Sequence, residues 1–99
     1  MTPEQLIDKR ESTHGDYTDK CNCIWRTKQV WHMQDGWDRL PATHRESLDM
    51  IAHKVARILT GNPHHVDHWR DIAGYAQLIV RELEKQRSEI GLKAVGSAS

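Results

Sequence analysis

The apolar positions of this chain recur at helical spacing, and four stretches carry the pattern. Leu48, Ile51, Ala52, Val55, Ile58 and Leu59 draw one stripe along a 3.6-residue repeat, with Thr43 and Glu46 spaced as a capping box ahead of it and Gly61 as a stop behind it. Next come Trp69, Ile72, Ala73, Ala76, Ile79, Val80 and Leu83, on a helix that starts between Pro63 and His68 and turns charged from Glu84 to Glu89. The short turn NPHHVDH between these two helices makes them an antiparallel hairpin. Upstream, Tyr17, Cys21, Ile24, Lys28 and Trp31 mark a helix over residues 17–35 that Gly36 closes, the Lys28 stem lying along the seam. Residues 37–42, with Pro41, read as a loop that folds Trp37 and Leu40 back onto the core. Thr2, Pro3 and Gln5 open a short helix to residue 9, and the polar stretch 11–16 around Gly15 reads as a connection. No segment alternates apolar and polar residues for long enough to be a strand. The expected fold is all-α: a small bundle of about four helices ending in the hairpin, one domain over residues 1–91 with a flexible tail over 92–99.

Composition narrows the function classes. A chain of 99 residues builds one core with little stability to spare, so self-association is expected. Asp67, Asp71, Gly74 and Leu78 share a second face of the last helix, and a glycine and a leucine on that polar face suggest close approach by another helix or a ligand. Fourteen basic and fourteen acidic residues cancel, which argues against nucleic acid as a partner. No apolar run approaches the roughly 20 residues of a membrane span, and the first residues lack the apolar stretch of a signal peptide, so a cytoplasmic protein without a membrane partner is expected. Cys21 and Cys23 would point to different sides of a helix, which reads as reduced structural thiols.

Candidate chemistry centres on the hairpin. Asp67 and Asp71, one turn apart, have the spacing to hold a divalent cation through oxygen ligands, while helix capping by Asp67 and an ion pair of Asp71 with Lys54 or Arg57 are the structural alternatives. Lys54 and Arg57, one turn apart on the preceding helix, could meet one phosphate, or form a solvated basic edge. His14 and Asp16 sit in a polar turn that would reach the same ligand if it folds over the junction of the last two helices; otherwise Asp16 is a cap. His64 and His68, with Asp67, have i, i+4 spacing for a transition metal, with surface histidines as the alternative. Tyr75 or an exposed tryptophan could stack on a base, although four tryptophans in a chain without phenylalanine read first as core and interface anchors. There is no glycine-rich phosphate loop, nucleophile elbow or paired-cysteine zinc pattern.

HGDY at residues 14–17, K-x-x-R at Lys54 and Arg57, and D-x-W-x-D-I-A-G-Y at residues 67–75 resemble a family of small tailed-phage and prophage proteins without an assigned function, over about residues 12–83. That family is more distantly similar to the all-α nucleoside triphosphate pyrophosphatases of the MazG-like type and to nucleotide-modification proteins. The resemblance implies magnesium held by helical carboxylates, with the Asp67 and Asp71 helix in the place of the second acidic motif. The first motif, a dense E-E-x-x-E in those enzymes, is here only Glu46 and Asp49, followed by the cations Lys54 and Arg57.

The function expected from the sequence is that of a phage-type protein binding a nucleotide or a nucleotide-derived signal at the junction of the last two helices. In this reading Lys54 and Arg57 hold phosphate, Asp71 and Asp67 hold magnesium or orient water for hydrolysis, His14 and Asp16 close the site, and Tyr75 contacts the ligand. The alternative is a non-enzymatic phage protein that inhibits a host enzyme or defence system through a protein interface, in keeping with counter-defence.

Overall fold

In the computed structural model, which describes the backbone of residues 1–98 and the side chains of residues 1–91, four α-helices follow one another without a strand among the described residues: α1 (Pro3–His14), α2 (Tyr17–His32), α3 (Ala42–Thr60) and α4 (Val66–Ala98), with a 3-10 turn (Asp35–Arg39) between α2 and α3. No helix of the described residues is long and apolar enough to cross a membrane. The expected tail over 92–99 lies outside the described side chains, and Ser99 lies outside the described residues altogether.

Local chemistry sets the boundaries. Thr2 and Gln5 form the expected capping box, with Pro3 in the first turn. α1 then runs through residues 11–14, expected as a connection, because nothing there breaks a helix until Gly15, whose φ of 80° ends it while its N–H bonds the Glu11 carbonyl at 3.1 Å. Asp16 caps α2 by accepting from the Asp19 N–H at 3.0 Å. α2 stops at His32, short of Gly36, and Trp37 stacks on the His32 ring at 4.3 Å. Arg45 ties the following loop by donating to the carbonyls of Leu40 and Asp38.

α3 begins at Ala42 without a side-chain cap, so the Thr43–Glu46 box is not formed. The Thr43 hydroxyl instead donates to Glu82 on α4 at 2.9 Å, beside the His44 Nε2–Glu82 contact of 2.9 Å. These bonds pin the start of α3 against the middle of α4 and confirm the antiparallel hairpin. α3 is the spine of the fold, since α2 packs on one side of it and α4 on another. Its small residues allow close approach: Ala52 and Ala56 are buried, and Ile24 of α2 joins them.

Two glycines fix the crossing of the turns. A Cβ on Gly15 would overlap the Thr60 carbonyl, and one on Gly61 would lie 2.6 Å from the Gly15 nitrogen and 2.7 Å from the His14 carbonyl carbon. The α1–α2 turn therefore rests backbone to backbone on the end of α3. Asn62 N–H donates to the Thr13 carbonyl at 3.2 Å, and the almost wholly buried His68 donates to the same oxygen from Nε2 at 2.9 Å. A Cβ on Gly74, by contrast, would meet nothing within 4 Å, so no neighbour among the described residues accounts for a glycine there.

Candidate functional site: a basic cleft beside the hairpin junction

The contact of Gly15 with Gly61 folds the HGDY turn over the hairpin junction, as the sequence required for His14 to take part in a site. His14 now stands edge-on to His68 at 5.1 Å between ring centroids, with His65 at 4.7 Å from His68 and 6.2 Å from His14. Burial, then the Arg57 guanidinium, then His68 hold the His14 pKa below its ordinary value of 6.5.

The charges predicted to converge do so only in part. Lys54, 8 % exposed, has its ammonium 2.9 Å from Asp71 Oδ2 and so forms the closed pair that the structural alternative described. The hydrogen bond from Lys54 lowers the Asp71 pKa, with Arg57 and His68 adding smaller effects in the same direction. Asp67 turns outward, within 3.6 Å of Arg70 and 3.8 Å of His65. Asp16 is occupied as the cap of α2, and Tyr75 lies on the apolar groove between α3 and α4, away from His14. His64 is exposed, with its N–H donating to Asn62 Oδ1.

Among the described residues no group of three or more His, Cys, Asp or Glu side chains is arranged to hold a metal ion. The donor set that the resemblance implied does not fit magnesium, because one carboxylate is shared with an ammonium and flanked by a guanidinium, and the other faces Arg70.

Arg57 is different. Its side chain makes no ion pair among the described residues, and its buried Nε has no hydrogen-bond partner. It lines an open cleft of about 640 Å³ between α1, α2 and α3, together with Arg10, Lys20, His14, Tyr17 and Glu11. Three cations against one carboxylate make this a local positive field in a chain of zero net charge. The volume suits a small organic ligand. Lys20 stands 5.2 Å from the centre of the exposed Tyr17 ring, so charge and an aromatic face occur together at the rim. Arg10 and Lys20 were not singled out by sequence reasoning. Their signal was i, i+4 and i, i+3 spacing from His14 and Tyr17, legible only once the turn is known to bend both helices around Arg57.

The Lys54–Asp71 pair has a testable acid signature. A carboxylate with a lowered folded-state pKa contributes stability that is fully present above its unfolded value near 3.8 and is lost as pH falls through the lower folded value. Asp71→Asn is expected to lower the melting temperature at pH 7, by leaving the buried ammonium without its counter-charge, and to flatten the loss of stability below pH 4. Thermal melts from pH 7 to pH 2 on both proteins check this, and parallel curves would count against the pair.

Residues 2–83 match the family described as Domain of unknown function (DUF6378). No curated protein and no solved structure matches the chain.

Proposed function

We propose, from the premise that the chain belongs to the DUF6378 family, that its basic cleft binds the phosphate groups of a nucleotide or a nucleotide-derived signal. The observation that carries this reading is the unpartnered, buried Arg57 Nε at the wall of a cleft that also holds Arg10, Lys20 and His14. A buried guanidinium donor without an acceptor is costly, and phosphate oxygens match its fork. Arg57 keeps the role the sequence suggested. Lys54, engaged with Asp71, gives its place to Arg10 and Lys20, and Tyr17 rather than Tyr75 offers a ring to a base. His14 is shared by the two readings.

Binding is better supported than hydrolysis, since Asp71 is neutralised by Lys54 and Asp67 faces Arg70. Magnesium would enter with the nucleotide, held by its phosphates. The resemblance of the motifs at residues 14–17, 54–57 and 67–75 to phage proteins and MazG-like enzymes supports the nucleotide reading, and an infected cell's cytoplasm is the location proposed with it. The inhibitor reading, with a host protein as partner, draws on exposed apolar side chains such as Trp25 and Met33.

The test is a calorimetric and thermal-shift panel of nucleoside mono-, di- and triphosphates and cyclic nucleotides, with and without magnesium. Saturable binding is expected for at least one class, growing with phosphate count. An anion in the cleft favours protonated His14, so binding takes up a proton and tightens as pH falls from 8 to 6. The free protein behaves oppositely: a histidine with a lowered folded-state pKa loses stability as pH falls through about 6.5 towards that value, and His53, lowered mainly by burial, adds to the trend. No response to any member of the panel would remove the proposal.

A further inference from the structure

α4 carries two adjacent seams, and among the described residues one of them is covered by α3 while the other, reaching the α3–α4 groove at Ala76, is exposed. His68, Ile72, Tyr75, Ile79 and Glu82 are buried or half-buried on the side that faces α3. One residue further round, Trp69, Ala73, Ala76, Val80, Leu83 and Ile90 repeat at the four-three spacing of a coiled-coil seam. All six are exposed, the four large ones between 41 % and 67 %. Arg87 is the one charged residue in the register.

We infer that this seam is a self-association surface, on which α4 of a second copy packs antiparallel. Three observations favour that occupant. The first is area: the chain exposes 7571 Å², against about 5,800 Å² for a compact monomer of its mass, and the excess exceeds the roughly 800 Å² per partner that a stable interface buries. Its radius of gyration of 18.4 Å also exceeds the about 13 Å of a compact chain of this length.

The second is length. α4 has 33 residues and α3 has 19, and among the described residues the last hydrogen bond between them joins Glu82 to Thr43 and His44 at the start of α3, so α4 continues past the point where α3 begins. Such a projecting segment is a weak helix in water unless something packs on it. Antiparallel pairing lays residues 84–90 of each copy along residues 66–72 of the other.

The third is charge. Arg70 and Glu84 flank the seam on the same side, seven residues either way from Gln77. Antiparallel copies bring each Arg70 opposite a Glu84, and in the same register Arg87 meets the ring of Trp69 of the partner subunit. That ring is already oriented by its N–H, which donates to the Pro63 carbonyl at 2.8 Å. A parallel pair would make neither contact. The polar face with Gly74 and Leu78, which the sequence suggested for assembly, lies on the other side of the helix and has no such complement.

The inference is independent of the ligand reading, since the cleft is built from α1, α2 and α3. Light scattering during size exclusion at about 50 μM is expected to return twice the 11.5 kDa chain mass. Val80→Glu with Leu83→Glu should return the single-chain mass, with helicity checked by circular dichroism, and Leu78→Glu should leave the doubled mass unchanged. The charge exchange tests orientation without burying anything new. Arg70→Glu or Glu84→Arg alone should weaken association about fivefold, and the two together in one chain should restore it. A wild-type single-chain mass, or a doubled mass that survives Val80→Glu with Leu83→Glu and fails with Leu78→Glu, overturns the inference. Failure of the double exchange to restore association overturns the antiparallel arrangement.

Discussion

Gly15→Ala is expected to cost about 3–5 kcal/mol, a large part of the stability of so small a domain. Two costs combine at this position. A φ of 80° is a backbone conformation that alanine adopts only under strain, and the added methyl group would overlap the Thr60 carbonyl. That obstacle is backbone at the end of a helix and cannot rotate away. Relief requires the HGDY turn to lift off α3, which would also break the bonds to the Thr13 carbonyl from Asn62 and His68. Gly61→Ala should be nearly as damaging, since its methyl group would meet Gly15 and His14 from the other side, although without strain in φ. Gly36→Ala, where nothing lies within 4 Å, serves as the control and should be close to neutral. Urea denaturation followed by circular dichroism measures all three. A Gly15→Ala protein whose midpoint stayed near that of the wild type would show that the turn does not rest on the end of α3.

Arg57→Gln is expected to weaken phosphate-ligand binding about 30- to 100-fold while leaving stability unchanged or slightly raised. The two effects separate because, among the described residues, the guanidinium makes no ion pair and its buried Nε has no hydrogen-bond partner, so its removal relieves a desolvation cost. Arg57→Lys should recover only part of the affinity, because an ammonium cannot present the planar fork. Lys54→Met is the contrasting variant. It removes the partner of Asp71 and the acid signature of that pair, but ligand affinity should stay within a fewfold of the wild type. If Lys54→Met abolished binding and Arg57→Gln did not, the ligand would sit at the hairpin junction, as the sequence first suggested.

The difference between these two cations shows where sequence reasoning stops. Helix number, order and the antiparallel hairpin were legible because the stripes of α3 and α4 are regular and the turn between them is short. Boundaries were less so. Nothing in residues 11–14 marks them as helix or loop until Gly15 is seen to terminate α1, and Thr43 served a tertiary bond to Glu82 in place of its capping box. Lys54 and Arg57 have the same local pattern, but their positions on α3 differ by three residues, which directs one towards α4 and Asp71 and the other towards α1 and α2. Periodicity places both on a helix and says little about which neighbour each will meet. The apolar residues of α4 mislead in a related way, since a broad stripe reads as core although α3 is wide enough to cover only half of it.

Arg57 lines the basic cleft with its Nε unengaged among the described residues, and nuclear magnetic resonance can observe that group directly. The Nε–Hε signal of Arg57, assigned by its loss in Arg57→Gln, would be followed while a nucleoside triphosphate is titrated into the protein at pH 6.5. A saturable shift of this signal is expected, with matching shifts at Arg10 and Lys20 and little change at Lys54. Signals of Arg57, Arg10 and Lys20 that remain in place at millimolar ligand, or a response confined to Lys54 and Asp71, would contradict phosphate binding in the cleft.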